Sequence, residues 1–270
     1  MLKAFIKSPY IVLKILFENR PLLKRLIIND LKTRFLGSVG GVFWNFIHPI
    51  FLITVYVFVF VFIFRMKVSS ESARSISVFY IIAGLLPWFI IMESVVRGLN
   101  ILIQNANIIK KTYFPLEMLP AQVAIAPFVN YGVITIGFGL FFSIKNAQFI
   151  NVLVLGYGII NLFFLVFGIV LLVSVLCVYF RDLIQIIQMF INIWIYMTPI
   201  LYAETMLPES VRPFVYGNPF YPVISIFQHI IAGSKLTNIQ IYLSVFWAVS
   251  FFFVGSFLFE KLKDELADWV

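Results

Sequence analysis

Six long apolar runs divide this chain of 270 residues, covering positions 42–64, 78–98, 119–142, 149–178, 184–203 and 238–259. A bilayer core of about 30 Å takes about 20 apolar residues in a helix, because each residue advances about 1.5 Å and every backbone group must bond internally. Each run reaches that length. The pattern therefore predicts six membrane-crossing helices, an even number that leaves both ends of the chain on one side.

Two stretches break the pattern. Residues 19–35 place Leu23, Ile27, Leu31 and Phe35 at four-residue spacing, with Lys24, Arg25, Lys32 and Arg34 on the remaining faces. That arrangement predicts an amphipathic helix lying on the membrane surface, its cations turned toward anionic lipid or a partner. Pro21 suits a first helical turn, and Gly37, Gly40 and Gly41 permit a sharp bend into the bilayer. Between the fifth and sixth runs, residues 207–235 carry Pro208, Pro213, Pro219, Pro222, Gly217 and Gly233. The apolar part of this stretch, 220–232, is too short to span and reads as a re-entrant or interfacial helix. Irregular backbone at membrane depth is tolerated only against protein or a water-filled cavity, so the segment is expected to border a path.

Composition removes the soluble alternatives. With 62% hydrophobic residues, 32 Phe and only 12 acids, too little polar surface exists to wrap a water-soluble core. The formal charge of +8 does not imply nucleic acid, because the cations sit in short connectors rather than on one face of a domain. They orient the chain instead. Lys3, Lys7, Lys14, Arg20, Lys24, Arg25, Lys32, Arg34, Arg97, Lys110, Lys111, Arg181, Lys261 and Lys263 share the side of the two ends. Arg65, Lys67, Arg74, Lys145, Arg212 and Lys235 lie opposite, so the positive-inside rule puts both termini in the cytoplasm. No cleaved signal peptide is expected, and the single Cys177 lies in an apolar run, where a thiol acts as a small hydrophobe.

Candidate chemistry is sparse. The connector from Ile101 to Met118 reads ILIQNANIIKKTYFPLEM, a short helical stretch closed by Phe114-Pro115 that keeps Ile101, Ile108 and Ile109 on an apolar side and leaves Lys110 and Lys111 for an acidic partner. Glu93 and Arg97 stand four residues apart, the spacing that pairs them on one helix face. A charge in hydrocarbon is costly, so both are expected to face protein or water near the cytoplasmic end. His48 reads as a hydrogen-bonded structural residue, and Arg181-Asp182 as a tight reversal between the fourth and fifth spans. Trp88, Trp194, Tyr196, Tyr202, Tyr216 and Tyr221 fall near span ends or in the irregular segment, where they serve an interfacial belt or stack on sugar rings. No phosphate-binding glycine loop, HExxH or acid cluster occurs, so catalytic and metal-binding residues are not expected and any nucleotide motor belongs to another chain.

Several short fragments, in order, resemble the permease subunit of type-2 ABC exporters, in particular those exporting O-antigen, capsule or teichoic acid. They are Asp30-Leu31-Lys32-Thr33-Arg34-Phe35, Trp44-Asn45-Phe46-Ile47-His48-Pro49 and Gly84-Leu85-Leu86-Pro87-Trp88. Lys110 to Pro115 with Leu119-Pro120, Phe180-Arg181-Asp182-Leu183, Thr198-Pro199-Ile200-Leu201-Tyr202 and Asn218-Pro219-Phe220-Tyr221 complete the set. The resemblance implies an all-α integral membrane fold with six transmembrane helices, an N-terminal amphipathic interface helix and short re-entrant outer gate helices. Residues 1–41 would form the cytoplasmic N-terminal segment, 42–259 the transmembrane domain and 260–270 a cytoplasmic tail. A coupling helix within 101–114 would meet the ATPase through Asn105, Asn107, Lys110, Lys111 and Tyr113, beside Arg25, Lys32 and Arg34 of the interface helix. Gate helices would lie within 205–235, Glu93 and Arg97 would form a gating pair, and Trp88, Trp194, Tyr196 and Tyr202 would face a glycan. The implied assembly is a homodimer with two cytoplasmic ATPase subunits carrying ATP and Mg, in the cytoplasmic (inner) membrane of a bacterium. It would move an undecaprenyl-linked glycan, with the O-antigen type favoured because no large extra domain is present. The alternatives are an exporter of small molecules or drugs, a passive channel, and a membrane enzyme acting on lipid-linked sugars. For the enzyme, Glu93, Glu117 and Asp182 are too dispersed in sequence to be attractive.

Overall fold

The computed structural model describes residues 2–33, 43–63, 78–111 and 114–269, and every regular element among them is helical. Four helical stretches are long and apolar enough to cross a membrane: Val78–Gly98, Met118–Lys145, Ile150–Tyr179 and Asn238–Glu265. They correspond to the second, third, fourth and sixth predicted runs. The chain is thus a helical multi-pass membrane protein.

The N-terminal part departs from expectation. Helix α1 spans Leu2–Glu18 and α2 spans Arg20–Thr33, with Asn19 joining them. Helix α2 carries the expected amphipathic pattern, and α1, for which none was predicted, is amphipathic as well: Lys7, Lys14 and Glu18 are exposed along one stripe, with Lys14 paired to Glu18. Val12 and Leu16 are buried inward, Phe5 meets Phe253 and Phe257, and Ile6, Tyr10 and Phe17 point outward. On α2 the half-buried positions are 22, 23, 26, 27, 30 and 31, a regular helical stripe, while Lys24, Arg25 and Lys32 are exposed. Arg34, Phe35, Gly37, Gly40 and Gly41 lie outside the described residues.

Helix α3 (Trp44–Val57) runs into a π-helical turn, Phe58–Ile63, so the first apolar run is helical across 44–63. Helix α4 covers Val78–Gly98. Two short helices follow, α5 (Ile101–Gln104) and α6 (Ala106–Lys111), broken at Asn105, whose side chain bonds back to the Ile101 carbonyl at 2.8 Å. That back-bond competes with the helical ladder and explains the break. Helix α7 (Met118–Pro127) passes through a π turn at Phe128–Gly132 into α8 (Val133–Lys145). The widened turn comes directly after Pro127, which has no amide to offer the ladder.

Helix α9 (Ile150–Tyr179) has 30 residues, about 45 Å of helix, and packs against α4, α7, the short helix α12 (Tyr221–Ala232) and α13 (Asn238–Leu262). Its crossing with α13 is close, with Gly168 and Gly255 at the contact. Small residues at such crossings are how membrane helices gain packing when lipid is as apolar as the side chains. Helix α10 (Asp182–Met197) is shorter than the fifth predicted run, which reached 203. Thr198 is extended, at φ −105° and ψ 133°, because Pro199 disfavours helix in the residue before it. A 3-10 turn (Glu204–Met206) and helix α11 (Arg212–Gly217) lead to α12. Gly233, at φ +70°, ends α12 in the left-handed conformation that glycine adopts freely. Thr237 then starts α13, its amide bonded by Gln240 at 2.9 Å. After α13 a 3-10 turn (Lys263–Glu265) precedes α14 (Leu266–Trp269).

Candidate functional site

Helix α4 fixes the two ends of the molecule. Tyr80 and Arg97 are 17 residues apart on it, about 25 Å at helical rise, so the clusters they join lie at opposite ends of the bundle.

At the Tyr80 end, fragments far apart in sequence interlock. Asn218 is buried and uses all four hydrogen-bonding positions of its amide. Its Nδ2 donates to Thr198 Oγ1 at 2.9 Å and to the Met197 carbonyl at 3.4 Å. Its Oδ1 accepts from the Phe220 amide at 3.0 Å and from Trp194 Nε1 at 3.3 Å. Phe220 then sits edge-on between Trp88 and Trp194, with ring centroids 5.6 and 5.4 Å away. The Pro199 carbonyl, freed by the end of α10, accepts from Gln228 Nε2 at 2.8 Å and Tyr80 Oη at 3.2 Å. Gly84 makes room for this: a Cβ there would come within 2.9 Å of Ile200 Cγ2. Gly84–Trp88, Thr198–Tyr202 and Asn218–Tyr221 thus form one knot.

Beside the knot is a cavity of about 510 Å³, bordered by Tyr80, Glu204, Arg212, Tyr216, Tyr221 and Gln228, among others. Glu204 is its hub. Tyr216 donates its hydroxyl to one carboxylate oxygen, Tyr221 donates to the other at 2.5 Å, and Gln240 Nε2 approaches the latter at 3.4 Å. Gln240 also donates to the Tyr221 hydroxyl at 3.1 Å. The hydrogen bond to Glu204 pushes the Tyr216 phenol up to about 12, helped by partial burial, so it stays a neutral donor across the physiological range.

The opposite end carries two ionic clusters. Arg97 pairs with Asp30 of α2 through Nη2, and its Nη1 lies 3.6 Å from Glu93 Oε1, a charge contact rather than a hydrogen bond. The expected Glu93–Arg97 pair is therefore present, with Asp30 as a third member. Lys263 donates to Glu117 at 2.7 Å and to Glu260 at 3.0 Å, and Glu117 is only 2% exposed. A charge so enclosed persists only with a partner, so this pair fixes the start of α7 to the end of α13.

Asp30, Glu117, Lys263 and Glu204 escape sequence reasoning. The first had a signal, as the one acid on the half-buried stripe of α2. Glu117, Lys263 and Glu204 are joined to partners distant in sequence.

The remaining candidates are placed as follows. Asn107 and Lys110 are exposed on α6 and Asn105 is half-buried, whereas Tyr113 and the side chain of Lys111 lie outside the described residues, as does Arg34. Ile101 and Ile109 point inward and Ile108 outward. Trp88 is enclosed in the core, Trp194 is half-buried and Tyr196 is exposed. The Tyr202 hydroxyl donates to the Tyr196 carbonyl at 3.1 Å.

No model of a known protein family matches the chain. It is similar to O-antigen export system permease proteins. Two from Klebsiella pneumoniae are 28% identical over 246 residues and 29% identical over 249, in each case 88% of this chain and 91% of the relative. One from Myxococcus xanthus is 26% identical over 258 residues, 94% of this chain and 96% of the relative. The likeness to polysaccharide-export permeases extends over nearly the whole chain, and these relatives are named as permeases rather than enzymes.

Proposed function

We infer that this chain is the permease subunit of an ATP-driven ABC exporter that carries a lipid-linked polysaccharide of the O-antigen type across the cytoplasmic membrane. The observation that carries the reading is the near full-length similarity to O-antigen export permeases. The chain works as a homodimer, with ATP and Mg on two cytoplasmic ATPase subunits and an undecaprenyl-linked glycan as cargo.

In this reading the first and fifth apolar runs, α3 with its π turn and α10, complete six spans within 42–259. The segment 1–41 and the tail 260–270 are cytoplasmic. The Arg97 end faces the cytoplasm and the Glu204 end faces outward. Helices α5 and α6 supply the coupling segment, with Lys110 and Lys111 toward the ATPase and Arg25, Lys32 and Arg34 alongside; α11 and α12 form the outer gate. Support for a watery path comes from α10, where Gln185, Gln188, Asn192 and Tyr196 recur every three or four residues and are all exposed. Amides on a lipid-facing surface are costly, so this row fits a path along the axis of the dimer. Tyr196, beside Trp194 and Tyr202, is the aromatic best presented to sugar rings there, while Trp88 serves the wall behind it.

ATP binding closes the motor subunits and moves the coupling segment, and the strapped ends of α4, α7 and α13 carry that movement into the bundle. The drive works only through contacts that differ between the two states. Reversing Lys110 and Lys111 to Glu should lower export and uncouple ATP hydrolysis from it. Unchanged export in that double variant removes the coupling assignment, and a purified chain that never co-isolates with an ATP-hydrolysing subunit removes the exporter.

A further inference from the structure

Resting on the outer-gate reading, we propose that Glu204 is the clasp that holds the outer segment shut, a positioning residue whose carboxylate binds three helices to the backbone turn that carries it. Four chain segments converge on this one side chain. The 3-10 turn after Pro199 supplies the carboxylate, α11 supplies Tyr216, α12 supplies Tyr221 and α13 supplies Gln240. Between these residues the chain otherwise runs through short irregular stretches, and α11 is a six-residue helix packed mainly on α12. Val215 is the one residue of α11 that is buried.

The chemistry suits a clasp better than a permanent weld. Each tie is a hydrogen bond from a neutral donor to a carboxylate, stronger than a neutral pair yet replaceable by water once the segments part. The cavity beside it, lined also by Arg212, Lys235 and Ser225, leaves room for water next to the carboxylate. Opening therefore trades protein donors for water donors. The Asn218 knot, fully bonded inside the core, holds the start of α12 with Tyr221, so the parts that yield are α11 with Tyr216 and the 3-10 turn with Glu204, neither side chain being buried.

Cysteine labelling reads this directly, because the only native thiol, Cys177, is buried. Ser225 is 3% exposed and lines the cavity, so Ser225→Cys reacts only when the segments separate. In cells carrying the complete exporter, a membrane-impermeant maleimide should label Ser225→Cys slowly, and Glu204→Gln should raise the rate about tenfold or more. Tyr216→Phe, a gentler change, should raise it less, and Glu204→Gln with Tyr216→Phe should add little beyond Glu204→Gln alone. If Glu204→Gln lowers the amount or the melting temperature of the solubilised chain, the fold is lost and the decision passes to Tyr216→Phe. Rates unchanged by Glu204→Gln and Tyr216→Phe, in a chain whose Ser225→Cys still reacts faster during ATP turnover, overturn the clasp and leave the gate. Rates that respond to neither variant nor turnover overturn both.

Discussion

Gly168 of α9 and Gly255 of α13 touch backbone to backbone: a Cβ built on Gly255 would strike the Gly168 carbonyl, and one on Gly168 would enter the Phe251–Phe252 peptide. The longest helix of the bundle is therefore locked to the last one by the absence of side chains on both.

From that contact, Gly168→Ala and Gly255→Ala should each lower the thermal unfolding temperature of the detergent-solubilised protein. The obstruction is backbone, which cannot rotate away, so a cost of about 1–3 kcal/mol is expected, the usual range for overpacking. Gly156→Ala, on α9 with nothing within 4 Å of the new methyl, is the control and should leave stability unchanged or slightly higher. Equal melting of all three variants would refute the locked crossing.

Asn218 leads to a second expectation. Removing its amide in Asn218→Ala strands the Trp194 indole N–H and the Phe220 amide, at about 1–3 kcal/mol for each buried group left unbonded. Hydrogen exchange should quicken in peptides spanning 194–221 and stay unchanged in α9. Exchange that rises evenly across the chain would mean the amide has no local role.

Much of this architecture can be read from residue order, and what escapes has a common cause. Apolar length alone locates α4, α7 with α8, α9 and α13, because lipid leaves a backbone no choice but to bond within itself. Spacing alone finds the half-buried stripe of α2 and the Glu93–Arg97 pair, since partners four residues apart on a helix must meet. Helix α1 is equally legible in the spacing of Lys3, Lys7, Lys14 and Glu18, which recur along one helical stripe, although Ile6, Tyr10 and Phe17 are exposed beside it. Helix α10 ends six residues before its apolar run does, because Pro199 stops the helix while the sequence stays apolar. Glu204 with Tyr216 and Tyr221, and Lys263 with Glu117, could not be found from spacing, because their partners meet only once the bundle has packed.

Lys263 carries the third expectation. In Lys263→Met the carboxylate of Glu117, almost wholly enclosed, loses its cation and faces Glu260 instead, which costs about 3–5 kcal/mol for a broken buried pair. Adding Glu117→Gln removes the stranded charge and should recover most of the loss in a thermal melt. A double variant no more stable than Lys263→Met alone would show that the pair contributes through packing rather than charge.

The Asp30–Arg97 tie makes the fourth expectation, and Glu93 decides its form. Arg97 contacts both acids, so Arg97→Ala removes a shared cation from Asp30 and Glu93, at about 1.5–3 kcal/mol for charge-assisted contacts and less where the guanidinium reaches solvent. Because the tie joins the surface helix α2 to the end of α4, export should fall further than the amount of folded protein does. A simple exchange, Asp30→Arg with Arg97→Asp, should not repair it: the new carboxylate at 97 would stand four residues from Glu93, like charges on one helix face. Adding Glu93→Gln to the exchanged pair removes that repulsion and should restore export toward its original level. Full recovery by the simple exchange would instead place Glu93 outside the cluster, and no recovery in the triple variant would mean that the charge pairing between α2 and α4 is not what transport requires.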